Sequence, residues 1–222
     1  PLFLTLAAPH SITASFIRAS RTLTIQSLYG TPDPPEGTYT NQHGVFLTNH
    51  LYNSTVFGTY TSLTCIGWNM SGNIPFTGTN CSMTMTHTNN AVLTWIWATN
   101  VYLACSIDGS GSLSGATNEW TRRGYTNQIQ AVPDTGMTFG GWQGDVPTAQ
   151  TNQNPLQLIM DGSRAITARF EIARCILEIH SEHGIGNPPP GTYTNDYGTF
   201  LVNYMPSTTN MVGSTQYVLT GW

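Results

Sequence analysis

Residues 23–47 read LTIQSLYGTPDPPEGTYTNQHGVFL, and residues 177–201 read LEIHSEHGIGNPPPGTYTNDYGTFL. The two stretches align without a gap at a shift of 154 residues, and the register holds outward in both directions. Upstream, Pro1, Leu2 and Leu4 recur as Pro155, Leu156 and Leu158, and Ile12-Thr13-Ala14 recurs as Ile166-Thr167-Ala168. Downstream, Gly67-Trp68 falls on Gly221-Trp222, and 27 of the 68 overlapping positions are identical. A fixed internal period of this kind outranks other signals in deciding architecture. It also changes the reading of the opening PLFLTLAAPHSITASF, whose apolar run and small residues imitate a secretory signal. Pro1 lies inside a repeat, so the sequence reads as a window on a longer array or a product cut within one.

A weaker half-repeat lies within the period. CIGW at Cys65 is echoed by FGGW at Phe139, VLTWIW at Val92 by AITARF at Ala165, and Met83 and Met85 by Leu156 and Leu158. Four segments follow: 1–19, the C-terminal strands of a preceding repeat; 20–99, a first-type unit; 100–173, a second-type unit; and 174–222, the start of another first-type unit. Ala98-Thr99-Asn100 is expected as the short connector between the two unit types.

Composition sets the class. Charged residues are 8%, against about 25% in typical soluble domains. All seven basic residues are Arg, and the net charge of −4 leaves no basic patch for nucleic acid. Aromatics at 11% exclude disorder. Abundant Thr, Val, Ile, Tyr and Trp favour pleated backbone, with Gly and Pro as punctuation. No stretch is long and apolar enough to span a bilayer.

Period-2 alternation predicts strands over 12–18, 22–27, 45–49, 60–66, 82–86, 91–97, 101–107, 125–132, 156–160, 165–171 and 176–180. Turn signals stand between them at Pro34-Pro35-Glu36-Gly37, Asp108-Gly109, Pro133-Asp134 and Asp161-Gly162. The expected fold is all-β with little helix.

Motifs in the second unit carry a resemblance. Gln128 to Pro133, Gly141 to Asp145, Asn154 to Met160 and Ile166 to Phe170 fill, in order, the slots V-x-L-x-A-x-P, G-W-x-G-D, N-P-L-x-x-x-M and V-T-A-x-F. This pattern resembles the divergent InlB B-type (Listeria–Bacteroides-like) bacterial surface repeat. The first unit, with P-P-x-G-T-Y-T, C-x-G-W and L-T-W-x-W, is similar to the Thr/Trp-rich module that often alternates with it. Two departures stand out: Gly140 precedes Gly141-Trp142, and Asn69-Met70-Ser71 replaces Gln143-Gly144-Asp145. The resemblance implies a tandem array of small β-grasp-like or β-sandwich-like domains, used as spacer, stalk or adhesive array in large secreted or surface-attached bacterial proteins.

Each unit of about 75 residues buries little surface alone, so stacked neighbours would share the task. Gly67-Trp68, Gly141-Trp142 and Gly221-Trp222 are the expected anchors, each Gly allowing a bulge or positive φ. Cys65 and Cys81 flank the first Gly-Trp turn and are expected to pair, leaving Cys105 and Cys175 to bracket the second unit. Four cysteines allow three connectivities. Asn53, Asn69 and Asn80 sit in N-glycosylation triplets.

The remaining residues weigh against chemistry. His180-Ser181-Glu182-His183 offers ligand types, but on a strand 180 and 182 share one face and 183 the other, so exposed strand-end residues are expected and no metal. Asp108 to Ser112 lacks the carboxylates of a calcium loop and reads as a hairpin turn. No G-x-S-x-G elbow exists. Glu119, Asp134, Asp145, Asp161 and Glu171 are glycosidase candidates by residue type alone, and Asp161 and Glu171 become Ala7 and Ile17 in the equivalent copy. No catalytic residue and no cofactor is expected.

The alternative function is a carbohydrate-binding module, in which Trp95 and Trp97, with Tyr102 nearby, form an exposed row that stacks on sugars. The favoured one is a non-enzymatic structural segment of a large extracellular or cell-surface repeat protein: a stalk, adhesin shaft or filament-forming array. Its partners are neighbouring repeats and copies of itself, with surface glycans as a further possibility.

Overall fold

A computed structural model describes residues 1–5 and 7–222 of the chain. Strand dominates: the described residues hold no α-helix, only a 3-10 turn at Thr148–Gln150. The chain divides into two compact units, Pro1–Asn100 and Val101–Trp222.

The first unit carries β1 (Ser20–Gln26), β2 (Thr31–Asp33), β3 (Gly37–Gln42), β4 (Val45–Tyr52), β5 (Thr55–Phe57), β6 (Thr61–Ser71), β7 (Thr77–Gly78), β8 (Ser82–His87) and the start of β9 (Ala91–Asp108). One sheet has the order β6-β9-β1-β3, with β5 and β7 added to β6, and the other is β2-β4-β8. β1 runs parallel to β9, with Leu23 opposite Ala91 and Ile25 opposite Leu93, and antiparallel to β3. Alternate residues point between the sheets, as pleating requires. Leu23 and Ile25 on β1, Leu51 on β4, Trp68 and Met70 on β6, Met83 and Met85 on β8, and Leu93 and Trp95 on β9 form one buried core.

The second unit repeats this scheme with β10 (Gly111–Gly115), β11 (Glu119–Arg122), β12 (Thr126–Pro133), β13 (Met137–Gly144), β14 (Leu156–Ile159) and β15 (Arg164–Ile172). The C-terminal part of β9 pairs with β11 and runs parallel to β15, which pairs antiparallel with β13. The opposing sheet is β10-β12-β14. Leu103, Ile129, Leu156, Leu158 and Met160 are fully buried between them. Around each core the strand that opens it, β1 or the C-terminal part of β9, pairs parallel with the one that closes it, β9 or β15, and three strands cover the other face: a small β-sandwich.

The second unit also contains β16 (Arg174–Ile179), β17 (Gly191–Asp196), β18 (Thr209–Val212) and β19 (Thr215–Val218). Their registers reproduce those of the first unit at the shift of 154. Arg174 opposite Asp196 matches Ser20 opposite Gln42, and Thr209 opposite Val218 matches Thr55 opposite Thr64. The isolated bridge between Asn187 and Tyr204 is the counterpart of Asp33 opposite His50.

Several expectations are corrected. Residues 12–18 form no strand, and residues 1–5 and 7–19 are exposed throughout, with Leu6 outside the described residues. The counterpart of 12–18 is β15, held by β13 on one side and β9 on the other; 12–18 has no such neighbours, and alternation without a ladder does not make a strand. Ala98-Thr99-Asn100, expected as a short connector, lies inside β9, so the chain passes from one unit to the next within a strand. There Asn100 keeps its amide satisfied by donating to Ser62 Oγ at 3.3 Å and Thr64 Oγ1 at 3.0 Å. Asp108-Gly109 makes no hairpin: it passes the chain from β9 to β10, which belongs to the opposing sheet.

Candidate functional site

The Gly-Trp pairs, expected at turns, lie inside strands, β6 and β13, and there the two units are most alike. Gly67 has φ 138° and Gly141 φ 119°, a region costly for side-chain-bearing residues. In β13 the register shifts between Phe139 and Gly141, so Gly140 is the extra residue of a bulge. That explains the departure seen in the sequence. Trp142 is 3% exposed; its backbone N–H donates to Thr151 O at 2.6 Å and its indole N–H to Gln153 O at 2.8 Å. Trp68 is 5% exposed and lies over Gly78, where any Cβ would strike the indole ring. The strand after each Trp ends against the start of the last core strand. A Cβ on Gly144 would meet Ala165 O, and one on Gly72 would meet Asn90 O. Asn69-Met70-Ser71 therefore lengthens the end of β6 by two residues before the same glycine contact is reached. Trp222, by contrast, is 80% exposed.

The expected disulfides are not present: all four cysteines are free thiols. Cys65 and Cys81 are nevertheless neighbours against the first core, and the Cys65 thiol also donates to Gly67 O at 3.4 Å. Burial pushes the Cys65 thiol up to about 11, with the adjacent Cys81 adding to the rise. Burial, and then the Glu119 carboxylate, pushes Cys105 up as well, against the lowering effect of the Asn118 hydrogen bond. Cys175 is exposed on β16.

The aromatic row required by the sugar-binding alternative does not form. Trp95 is 2% exposed, inside the core. Trp97 is half-buried, with its indole N–H on Ser27 Oγ at 3.1 Å and Tyr29 edge-on at 5.6 Å. Tyr102 is partly covered by Trp120 at 5.2 Å. Trp95 thus belongs to the core, and of the three rings only Trp97 and Tyr102 keep part of their surface in solvent.

Asn53, Asn69 and Asn80 all lie exposed. His180 is exposed at the end of β16, 3.5 Å from Glu178, and His183 stacks on Tyr217. Among the described residues no three His, Cys, Asp or Glu converge as metal ligands. Of the five carboxylates, Asp145 and Asp161 meet around Arg164. Asp161 pairs with its guanidinium at 2.7 Å, while Asp145 accepts the Ala165 N–H at 2.9 Å and offers its carbonyl to Arg164 at 2.9 Å. These bonds tie the residues after β13 and after β14 to the start of β15. Asp134 accepts from Ser110, and Glu171 pairs with Arg169 at 3.1 Å.

This geometry defines a class: a small all-β unit with a Gly-Trp pair inside one core strand, built twice with the same pairings. The divergent InlB B-repeat domain family matches residues 101–174, and the resemblance read in the sequence holds for that segment. No curated protein and no solved structure matches the chain. Among the described residues no helix is long and apolar enough to cross a membrane.

Proposed function

We propose that this chain is a non-enzymatic structural segment of a large extracellular or cell-surface bacterial repeat protein, serving as a stalk, adhesin shaft or filament-forming array. The observation that carries this reading is the recurrence of pairing registers. Residues 174–222 pair as residues 20–68 do, and between them lies a segment of a surface-repeat family. The units would run 20–99, 100–173 and 174–222, with Gly67-Trp68 and Gly141-Trp142 as buried anchors of the first two. Neighbouring repeats are the first partners. A surface of few charges with many Thr and Asn side chains supports association between copies, because little repulsion opposes it. The burial of Trp95 removes the observation that favoured sugar binding.

Electron microscopy of the native material tests this directly. Rods or fibres with an axial period matching one or two units are expected. A compact particle with no axial repeat would overturn the proposal.

A further inference from the structure

At the crossing of β6 and β7 two thiols stand where a cross-link fits. Trp68 lies opposite Gly78 and Asn69 opposite Thr77, and that register, continued back by three residues, places Cys65 opposite Cys81. Directly opposed residues of an antiparallel pair have Cα atoms about 4.5–5.5 Å apart, within the span of about 4.4–6.8 Å that a disulfide bridges. The side chains meet accordingly: the Cys65 and Cys81 thiols are in hydrogen-bonding contact, and both pack on the first core. Both backbones are held in place. The Cys65 N–H donates to Ser54 O at 2.8 Å, and Cys81 O accepts from the Leu51 N–H at 2.9 Å.

The second unit shows what the first lacks at this place. Trp142 is fixed by its indole N–H on Gln153 O at 2.8 Å and by Phe139 edge-on at 5.4 Å. The indole N–H of Trp68 is buried without an acceptor among the described residues, and in the half-repeat Cys65 takes the position of Phe139. Cys65 belongs to β6 in one sheet, whereas Cys81 immediately precedes β8 in the opposing sheet. A bond between them closes a ring of residues 65–81 around the Trp68–Gly78 contact and ties the two sheets of the first sandwich together.

We propose that Cys65 and Cys81 form a redox-operated staple, open as two thiols in this structure and closed as an inter-sheet disulfide when a small-molecule disulfide serves as oxidant. Thiol–disulfide exchange balances the step. Cys81, as thiolate, attacks one sulfur of the oxidant; that S–S bond breaks, and one small thiolate leaves and takes up a proton. Cys65 then gives up its proton and attacks the Cys81 sulfur, the mixed disulfide breaks, and the second small thiol departs. Two protein thiols are oxidised by two electrons in all, and the small disulfide is reduced to two thiols that carry off both protons. The order follows from burial. Cys65 is 7% exposed, its thiol is pushed up to about 11, and it donates to Gly67 O at 3.4 Å. Cys81 is less buried, so it is the entering thiol and Cys65 the slower, resolving one.

The test equilibrates the intact chain in equal concentrations of reduced and oxidised glutathione, quenches it with an alkylating reagent, and maps the non-reduced peptides by mass spectrometry. A peptide joining Cys65 to Cys81 is expected, with neither residue alkylated. In a Cys105→Ser, Cys175→Ser background the whole protein should be lighter by two hydrogens and take up no label. There the closed form should melt about 5–10 °C above the dithiothreitol-reduced form, the scale set by a ring of this length. Cys65→Ser should leave Cys81 carrying glutathione and abolish that gain. The peptide map is taken on the unsubstituted chain, so it stays decisive even if Cys65→Ser disturbs the core. Alkylation of both thiols at that poise, glutathione retained on Cys81 beside a free Cys65, or a link from Cys65 to Cys105 or Cys175 would each overturn the proposal. So would a closed form that melts no higher than the open one. None of these outcomes bears on the axial period sought by electron microscopy, so the staple and the shaft reading fail separately.

Discussion

Cys65 shows how much one side chain's surroundings decide. Its thiol sits 7% exposed against the first core, with Cys81 beside it, and burial holds it neutral to about 11 instead of the ordinary 9.0. Unfolding releases a thiol that ionises near pH 9. Between pH 9 and 11 the unfolded chain therefore gives up a proton that the folded chain keeps. The contribution is fully present below pH 9 and is lost as pH rises through the folded value, a change of about 1–3 kcal/mol. Denaturant midpoints measured from pH 8 to 11 should fall more steeply for the native chain than for Cys65→Ala. Parallel curves would show that the thiol carries no such linkage. The sequence disclosed the pairing of neighbours, since Cys65 and Cys81 flank one Gly-Trp motif. It did not disclose the state of the sulfurs, because flanking one motif brings two thiols near each other without deciding whether they bond. Trp95 teaches the converse: its alternation with Trp97 was legible, but which neighbours cover that face depends on β6 and β8, both distant in the chain.

At the scale of elements, long strands with regular alternation were legible because each carries its own buried face. β4, β6, β8, β12 and β15 fall within a few residues of expectation. The short β2, β5 and β7 were not, since two or three residues are below one period of any pattern. Residues 12–18 failed for the opposite reason, having pattern without partners. The β6–β7 crossing offers a sharp check on such reasoning. Gly67 combines φ 138° with a Cβ direction blocked by the Gly78 carbonyl, and Gly78 in turn lies under the Trp68 ring. In Gly67→Ala, backbone must move and β7 must leave β6, exposing Trp68. A loss of about 2–4 kcal/mol is expected, combining strained φ/ψ with lost packing. Gly44→Ala, also at positive φ but with open space around it, should lose only about 1 kcal/mol, the cost of the backbone region alone. Equal losses in urea titrations of the two variants would remove the crossing from the account.

Over the whole molecule, charge contributes little, and that sets how it should behave in solution. The described residues hold four ion pairs, each with at least one side chain about half exposed or more, and one of the four needs a protonated His180. Exposed pairs contribute about 0–1 kcal/mol each and are screened by salt. The cores, by contrast, are built from aliphatic, aromatic and sulfur-bearing side chains whose burial is indifferent to ionic strength. Raising sodium chloride from 0.05 to 1 M should therefore shift the unfolding free energy by less than about 1 kcal/mol. The same logic extends to association. Eleven acidic and seven basic residues on 222 give too weak a field either to hold copies apart or to draw them together. Self-association should then depend on concentration and temperature, and light scattering at fixed protein concentration should change little across that salt range. A steep salt dependence in either measurement would mean that charged contacts outweigh hydrogen-bonding and apolar ones, and the weak-field account would fail.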